Sequence, residues 1–66
     1  MIVTVNGQPR ELPDQATVAE LLERLALPTR GLAVEVNLAI VPRQRHGEHR
    51  LAEGDKLEIV SLVGGG

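Results

Sequence analysis

Apolar and polar positions alternate at the start of the chain and recur at helical spacing soon after. In "MIVTV", Met1, Val3 and Val5 share one face of a β-branched run, and Ile2 and Thr4 share the other, which predicts a strand. Asn6-Gly7 follows, the dipeptide best suited to a two-residue hairpin whose central residues both need positive φ. "QPREL" is then the returning strand. Pro9 has no N–H to give a ladder, so that strand is expected at the sheet edge. "PDQA" is a connection, and "TVAELLERLAL" predicts a helix. Thr17 and Glu20 have the spacing of a capping box, in which each side chain bonds the other's free backbone N–H. Val18, Leu21, Leu22 and Leu25 make one apolar stripe, and Pro28 is expected to stop the helix.

The second half reads as strands. "LAVEV" places Leu32, Val34 and Val36 inward, Asn37 opens a turn, and "AIVP" suggests a short further strand. "RQRHGEHR" is a polar loop, Leu51 a lone anchor, and Gly54-Asp55 a turn. "KLEIVSLV" is the last strand, with Leu57, Ile59, Ser61 and Val63 on one face. One amphipathic helix can cover one face of one sheet, so the expected architecture is a two-layer α+β domain with a polar opposite face. On the last strand that opposite face carries Glu58 but also Val60 and Leu62, with Ile2 placed to lie beside them. The three are either a docking patch for a partner or ordinary surface apolar residues.

Composition narrows the chemistry. Sixty-six residues make one small domain, and 42% hydrophobic residues suffice for a core, which must be aliphatic because Phe, Tyr and Trp are absent. A net charge of −2 and the lack of aromatic stacking platforms argue against nucleic acid as a partner. The absence of cysteine removes thiol nucleophiles, persulfide carriage on a side chain and cysteine metal sites, and it accords with a reducing, cytoplasmic setting. No secretory signal is visible at the start, and Glu35 and Asn37 interrupt the most apolar stretch, so no membrane span is expected. His46 and His49 lack a third metal ligand and are read as solvated loop residues, as are Arg43, Arg45 and Arg50. Glu53, Asp55 and Glu58 either steer a basic partner or are plain turn and sheet surface. No catalytic constellation is present, and the chain does not read as an enzyme.

The final strand runs into Gly64-Gly65-Gly66. A terminal carboxyl, with an ordinary pKa of about 3.5, is ionised at neutral pH. It is a poor electrophile until a partner that binds ATP activates it, and this chain has no phosphate-binding loop of its own. Glycine has no Cβ, so it can thread a narrow channel, and three extended residues reach about 10 Å. Fixing their backbone costs about 1–2 kcal/mol per residue, which docking contacts made by the domain would have to offset.

A single-helix β domain ending in diglycine resembles the ubiquitin-like β-grasp sulfur carriers, and within them the ThiS family of thiamine biosynthesis. The resemblance covers the whole chain, through the "NG" hairpin, "TVAELLERL", "VEVNLAIVPR" and "LAEGDKLEIVSLVGGG". It implies a ubiquitin-like β-grasp domain over residues 1–63, a mixed sheet of four or five strands with the helix on one face, and a flexible glycine tail over 64–66. It also implies that Gly66 is the site of adenylation and of the thiocarboxylate, with Gly64 and Gly65 threading a partner's active site. The implied partners are a ThiF-like adenylating enzyme that consumes ATP, a sulfur donor such as a cysteine desulfurase, and thiazole synthase. The carrier binds no cofactor on this reading. Rival roles are a molybdopterin synthase small subunit, a ubiquitin-like protein modifier, and a plain interaction module with dispensable glycines. Many ThiS relatives carry an aromatic residue where this chain has His46, which implies that packing lost there is made up elsewhere.

Overall fold

The computed structural model describes residues 1–28 and 30–62. Among them lie five strands and one α-helix: β1 (Ile2–Val5), β2 (Gln8–Glu11), α1 (Val18–Arg24), β3 (Leu32–Val36), β4 (Ala39–Val41) and β5 (Lys56–Ser61), with a 3-10 turn at Arg43–Arg45. The sheet has the order β2-β1-β5-β3-β4. The central pair β1–β5 is parallel and the other three pairings are antiparallel.

Both hairpins close with two residues at positive φ, Asn6 (50°) with Gly7 (83°) and Asn37 (52°) with Leu38 (73°). That geometry matches the right-handed twist of the flanking strands. Pro9 sits opposite Thr4 on the edge strand, where its missing N–H costs no ladder bond. The expected alternation holds on the helix side of the sheet: Val3, Val5, Val34, Val36 and Leu57 are buried there against Val18, Leu21 and Leu22 of α1. Each such side chain contributes roughly 1.5–3 kcal/mol of transfer free energy. The seven-residue helix is too short to cover the whole face, so Leu32 and Ile59 are half-buried and Ser61 is exposed.

Helix α1 stops before Pro28 can act. Leu25 is the C-cap, and Ala26 takes a left-handed φ of 56°. Its N–H bonds Glu23 O and that of Leu27 bonds Leu22 O, which satisfies two orphan carbonyls in the pattern usually built on glycine. The start of α1 is half of the expected capping box. Glu20 N–H donates to Thr17 Oγ1 at 3.2 Å, but the Glu20 carboxylate accepts only a 3.4 Å contact from the Thr17 hydroxyl.

The polar loop is more structural than its composition suggests. The first two free amides of α1, Val18 N and Ala19 N, donate to the carbonyls of His49 and His46, and Leu51 N donates to Ala16 O. The segment 46–51 therefore caps the helix that its sequence gives no sign of touching. His46 is buried, at 4% exposure, and not a solvated loop residue. Its Nε2–H donates to Val41 O at 3.1 Å, and its Nδ1 has no partner among the described residues. The imidazole is itself part of the packed interior beneath α1.

Candidate functional site

The open face of the sheet and the end of β5 are built by strand alternation. With Leu57 turned to the helix, Lys56, Glu58 and Val60 point away from it. On β3 the same face carries Ala33, opposite Val60, and Glu35, opposite Glu58. On β4 it carries Ile40, opposite Glu35. Val60, Leu62 and Ile40 are 52%, 67% and 69% exposed. Val60 and Leu62 make an apolar patch with Ala33 on the half of the face nearest the chain's C-terminal end, while Ile40 lies level with Glu35 and Glu58, beyond those two carboxylates.

Of the three patch residues expected from sequence, the structure brings Val60 and Leu62 together and places Ile2 apart from them. Ile2 shares their face and is exposed, but the parallel register Thr4↔Lys56 sets it level with Gly54. Gly54 N donates to Ile2 O at 2.8 Å, which fixes that row. Val60 lies six positions further along the chain than Gly54, roughly 20 Å at about 3.3 Å per residue. Sequence reasoning missed Ile40 and Glu35, which cross-strand pairing sets in one row with Glu58 beside the patch. The alternation of Ile40 with the buried Val41 was the available signal.

Glu35 and Glu58 face each other directly across β3 and β5. Like charges in that position destabilise a sheet, so the pair is a local cost to the isolated domain. Lys56 is the cation flanking them on the same strand face. Glu53 instead has a local structural use, accepting Ile2 N–H at 2.9 Å, and Asp55 accepts from Ala52 N and Asn37 Nδ2. Among the described residues the ion pair is that of the Met1 ammonium with Asp14, and Arg43 and Arg45 stand exposed at the far edge beyond β4.

No three of His, Cys, Asp and Glu converge to hold a metal among the described residues. No helix there is long and apolar enough to cross a membrane. Val63 and the tail glycines Gly64, Gly65 and Gly66 lie outside the described residues. Leu62, the last residue before them, is held by its N–H to Gly31 O at 2.7 Å.

A five-stranded mixed sheet with a parallel central pair, crossed on one face by one helix, is the ubiquitin-like β-grasp, here ending its middle strand in glycines. The crystal structure of the thiamine biosynthesis protein ThiS from Geobacter metallireducens matches it over 100% of both chains, with a TM-score of 0.84 and 30% identity. The model of the ThiS family matches residues 3–66, and the chain belongs to that family. The sulfur carrier protein ThiS of Escherichia coli is 33% identical over 66 residues, 100% of each chain. A thiazole synthase of Paramagnetospirillum magneticum is 42% identical over the same 66 residues, where this chain spans 20% of the relative's length.

Proposed function

We propose that this chain is a sulfur carrier for thiamine biosynthesis, loaded at the Gly66 carboxylate. One observation carries the reading: full-length similarity to ThiS carriers in a chain whose last strand is followed, two residues on, by three glycines in the sequence. The same similarity favours the thiamine role over that of a molybdopterin synthase subunit. A match to one segment of a much longer thiazole synthase supports thiazole synthase as the enzyme that consumes the sulfur.

The chemistry follows from the tail. A ThiF-like partner binds ATP, the Gly66 carboxylate attacks its α-phosphate, and pyrophosphate leaves. The acyl-adenylate has a good leaving group, so the terminal sulfur of a persulfide donor displaces AMP to give an acyl disulfide. A thiol of the donor or a second partner then attacks the donor's sulfur, taking it into a disulfide and releasing the thiocarboxylate. The carrier supplies no acid, base or cofactor to these steps. Its contribution is an uncrowded carbonyl, narrow backbone at Gly64 and Gly65, and a docking face that offsets the entropy of fixing them. The apolar patch of Val60 and Leu62 with the neighbouring carboxylates Glu35 and Glu58 suits a partner surface that is apolar and basic. Ile2 stands too far along the sheet to belong to the same contact.

Intact-mass measurement after incubation with ATP, a sulfur donor and the adenylating enzyme tests the proposal. One oxygen exchanged for sulfur at Gly66 is the expected result. A chain whose mass stays unchanged, while a known ThiS protein is converted alongside it, would refute it.

The Glu35–Glu58 pair gives a second test with two opposite signs. Glu58→Gln is expected to stabilise the isolated domain by about 0.2–1 kcal/mol, a gain that shrinks in high salt. The same change is expected to slow association with the adenylating partner. Urea denaturation and stopped-flow binding at two ionic strengths measure the two effects, and a change of the same sign in both would count against electrostatic docking.

A further inference from the structure

We propose that the Asn6 carboxamide is a positioning residue for the tail. It holds Ile59 on the flank of β5 that β1 no longer reaches, and so steadies the strand end that precedes the glycines in sequence. The inference rests on the carrier reading above and adds a residue far from Gly66 in sequence.

The parallel ladder between β1 and β5 is short. It pairs Thr4 with Lys56 and Val5 with Leu57, and Asn6 N–H still reaches Leu57 O at 2.9 Å. There β1 ends, because the chain turns back at Asn6-Gly7. β5 continues to Ser61 with no main chain beside it on that flank among the described residues. The Asn6 side chain takes the place of the missing strand. Its Oδ1 accepts the Ile59 N–H at 2.8 Å, and its Nδ2 donates to the Ile59 carbonyl at 3.2 Å. One carboxamide thus supplies the donor and the acceptor that a further residue of β1 would have offered.

Asn37 makes the comparison that separates positioning from plain stability. It occupies the equivalent place in the other two-residue turn, at nearly the same φ. It too grips β5, with Oδ1 accepting Lys56 N–H at 3.0 Å and Nδ2 donating to Asp55 Oδ1 at 3.0 Å. Its grip falls on the first residue of β5, whereas that of Asn6 falls three residues before Leu62. Loss of either removes two hydrogen bonds to one turn-forming asparagine. Only loss of the Asn6 pair leaves the last residues of β5 held on the β3 flank alone, through the Ser61–Leu32 row and the Leu62 amide on Gly31 O. A strand end that swings presents the carboxyl to ATP over a wider set of directions, and misalignment of reacting groups is costly to rate.

The test compares Asn6→Gly with Asn37→Gly. Glycine keeps the positive φ of each turn while removing the carboxamide. Both variants are expected to lose similar stability in urea. Amide hydrogen exchange at Ile59 and Leu62 is expected to quicken in Asn6→Gly alone. With the ThiF-like enzyme and ATP, kcat/KM for acyl-adenylate formation is expected to fall about tenfold in Asn6→Gly and less than about twofold in Asn37→Gly. Asn6→Asp keeps the acceptor for Ile59 N–H, lacks the donor, and is expected to lie between Asn6→Gly and wild type. Equal rates for Asn6→Gly and wild type, or equal losses in both glycine variants, would overturn the positioning role and leave the carrier reading standing. A wild-type chain that is never adenylated would remove the carrier reading and this inference together.

Discussion

Removing Gly65 and Gly66 is expected to abolish sulfur loading and to leave the unfolding midpoint where it was. The described core closes between Val3 and Leu57, and the last described residue, Leu62, is anchored by its amide on Gly31. Cutting after Gly64 leaves that core and that anchor in the chain, so folding stability is expected to hold. The loss of function should be complete, because activation needs a carboxyl that reaches the partner's nucleotide, and the shortened chain ends roughly 7 Å earlier. Intact-mass analysis after the loading reaction and growth of a thiamine auxotroph on the truncated gene read the same outcome in two ways. Unimpaired complementation would mean that the glycines are dispensable and that the domain acts through its surface alone.

Leu22→Ala is expected to take away much of the stability the domain has. Leu22 is 0% exposed and sits in the centre of α1 facing the sheet. Large-to-small changes of this kind cost about 2–5 kcal/mol, the transfer term plus the cavity left behind. A chain of 66 residues commands roughly 3–10 kcal/mol in total. No disulfide shares the burden, since the chain contains no cysteine, and no aromatic ring can shift to fill the space. The melting temperature should drop by more than about 10 °C, followed by far-UV circular dichroism because the chain has no tryptophan or tyrosine to fluoresce. A drop below about 4 °C would show that the aliphatic core collapses around the cavity more readily than its close packing suggests.

Much of this architecture was legible because it is local. Asn6-Gly7, the Val18–Leu21–Leu22 stripe and the alternation about Leu57 each declare an element within a few residues, and one helix with several strands leaves few ways to build a core. Pro9 gave the edge position of β2 through a missing donor alone. The features that were not legible depend on contacts between distant segments. The parallel register of β1 with β5 separates Ile2 from Val60, and alternation within each strand carries no trace of that offset. His46 is buried because the loop folds under α1 to cap it, a bond from backbone carbonyls that side-chain identity does not signal. Helix α1 ends at a left-handed Ala26, where the residue type favours continuing and the waiting carbonyls decide otherwise. The glycine tail was the opposite case, since the expectation placed on it came from residue type and position in the sequence and called on no pairing between distant segments.

The parallel central pair also settles where the molecule can be held. β1 enters the sheet at the level of Gly54 and β5 leaves it past Leu62, so the first and last described residues lie at opposite poles, roughly 25 Å apart along the strands. A dye, resin or fused domain joined ahead of Met1 therefore stands clear of the Leu62 pole. Such a junction turns the terminal ammonium into an amide that still donates to Leu12 O and gives up only the 3.6 Å contact with the exposed Asp14. Immobilised by that end, the domain would turn its Leu62 pole to every enzyme in the solution above it.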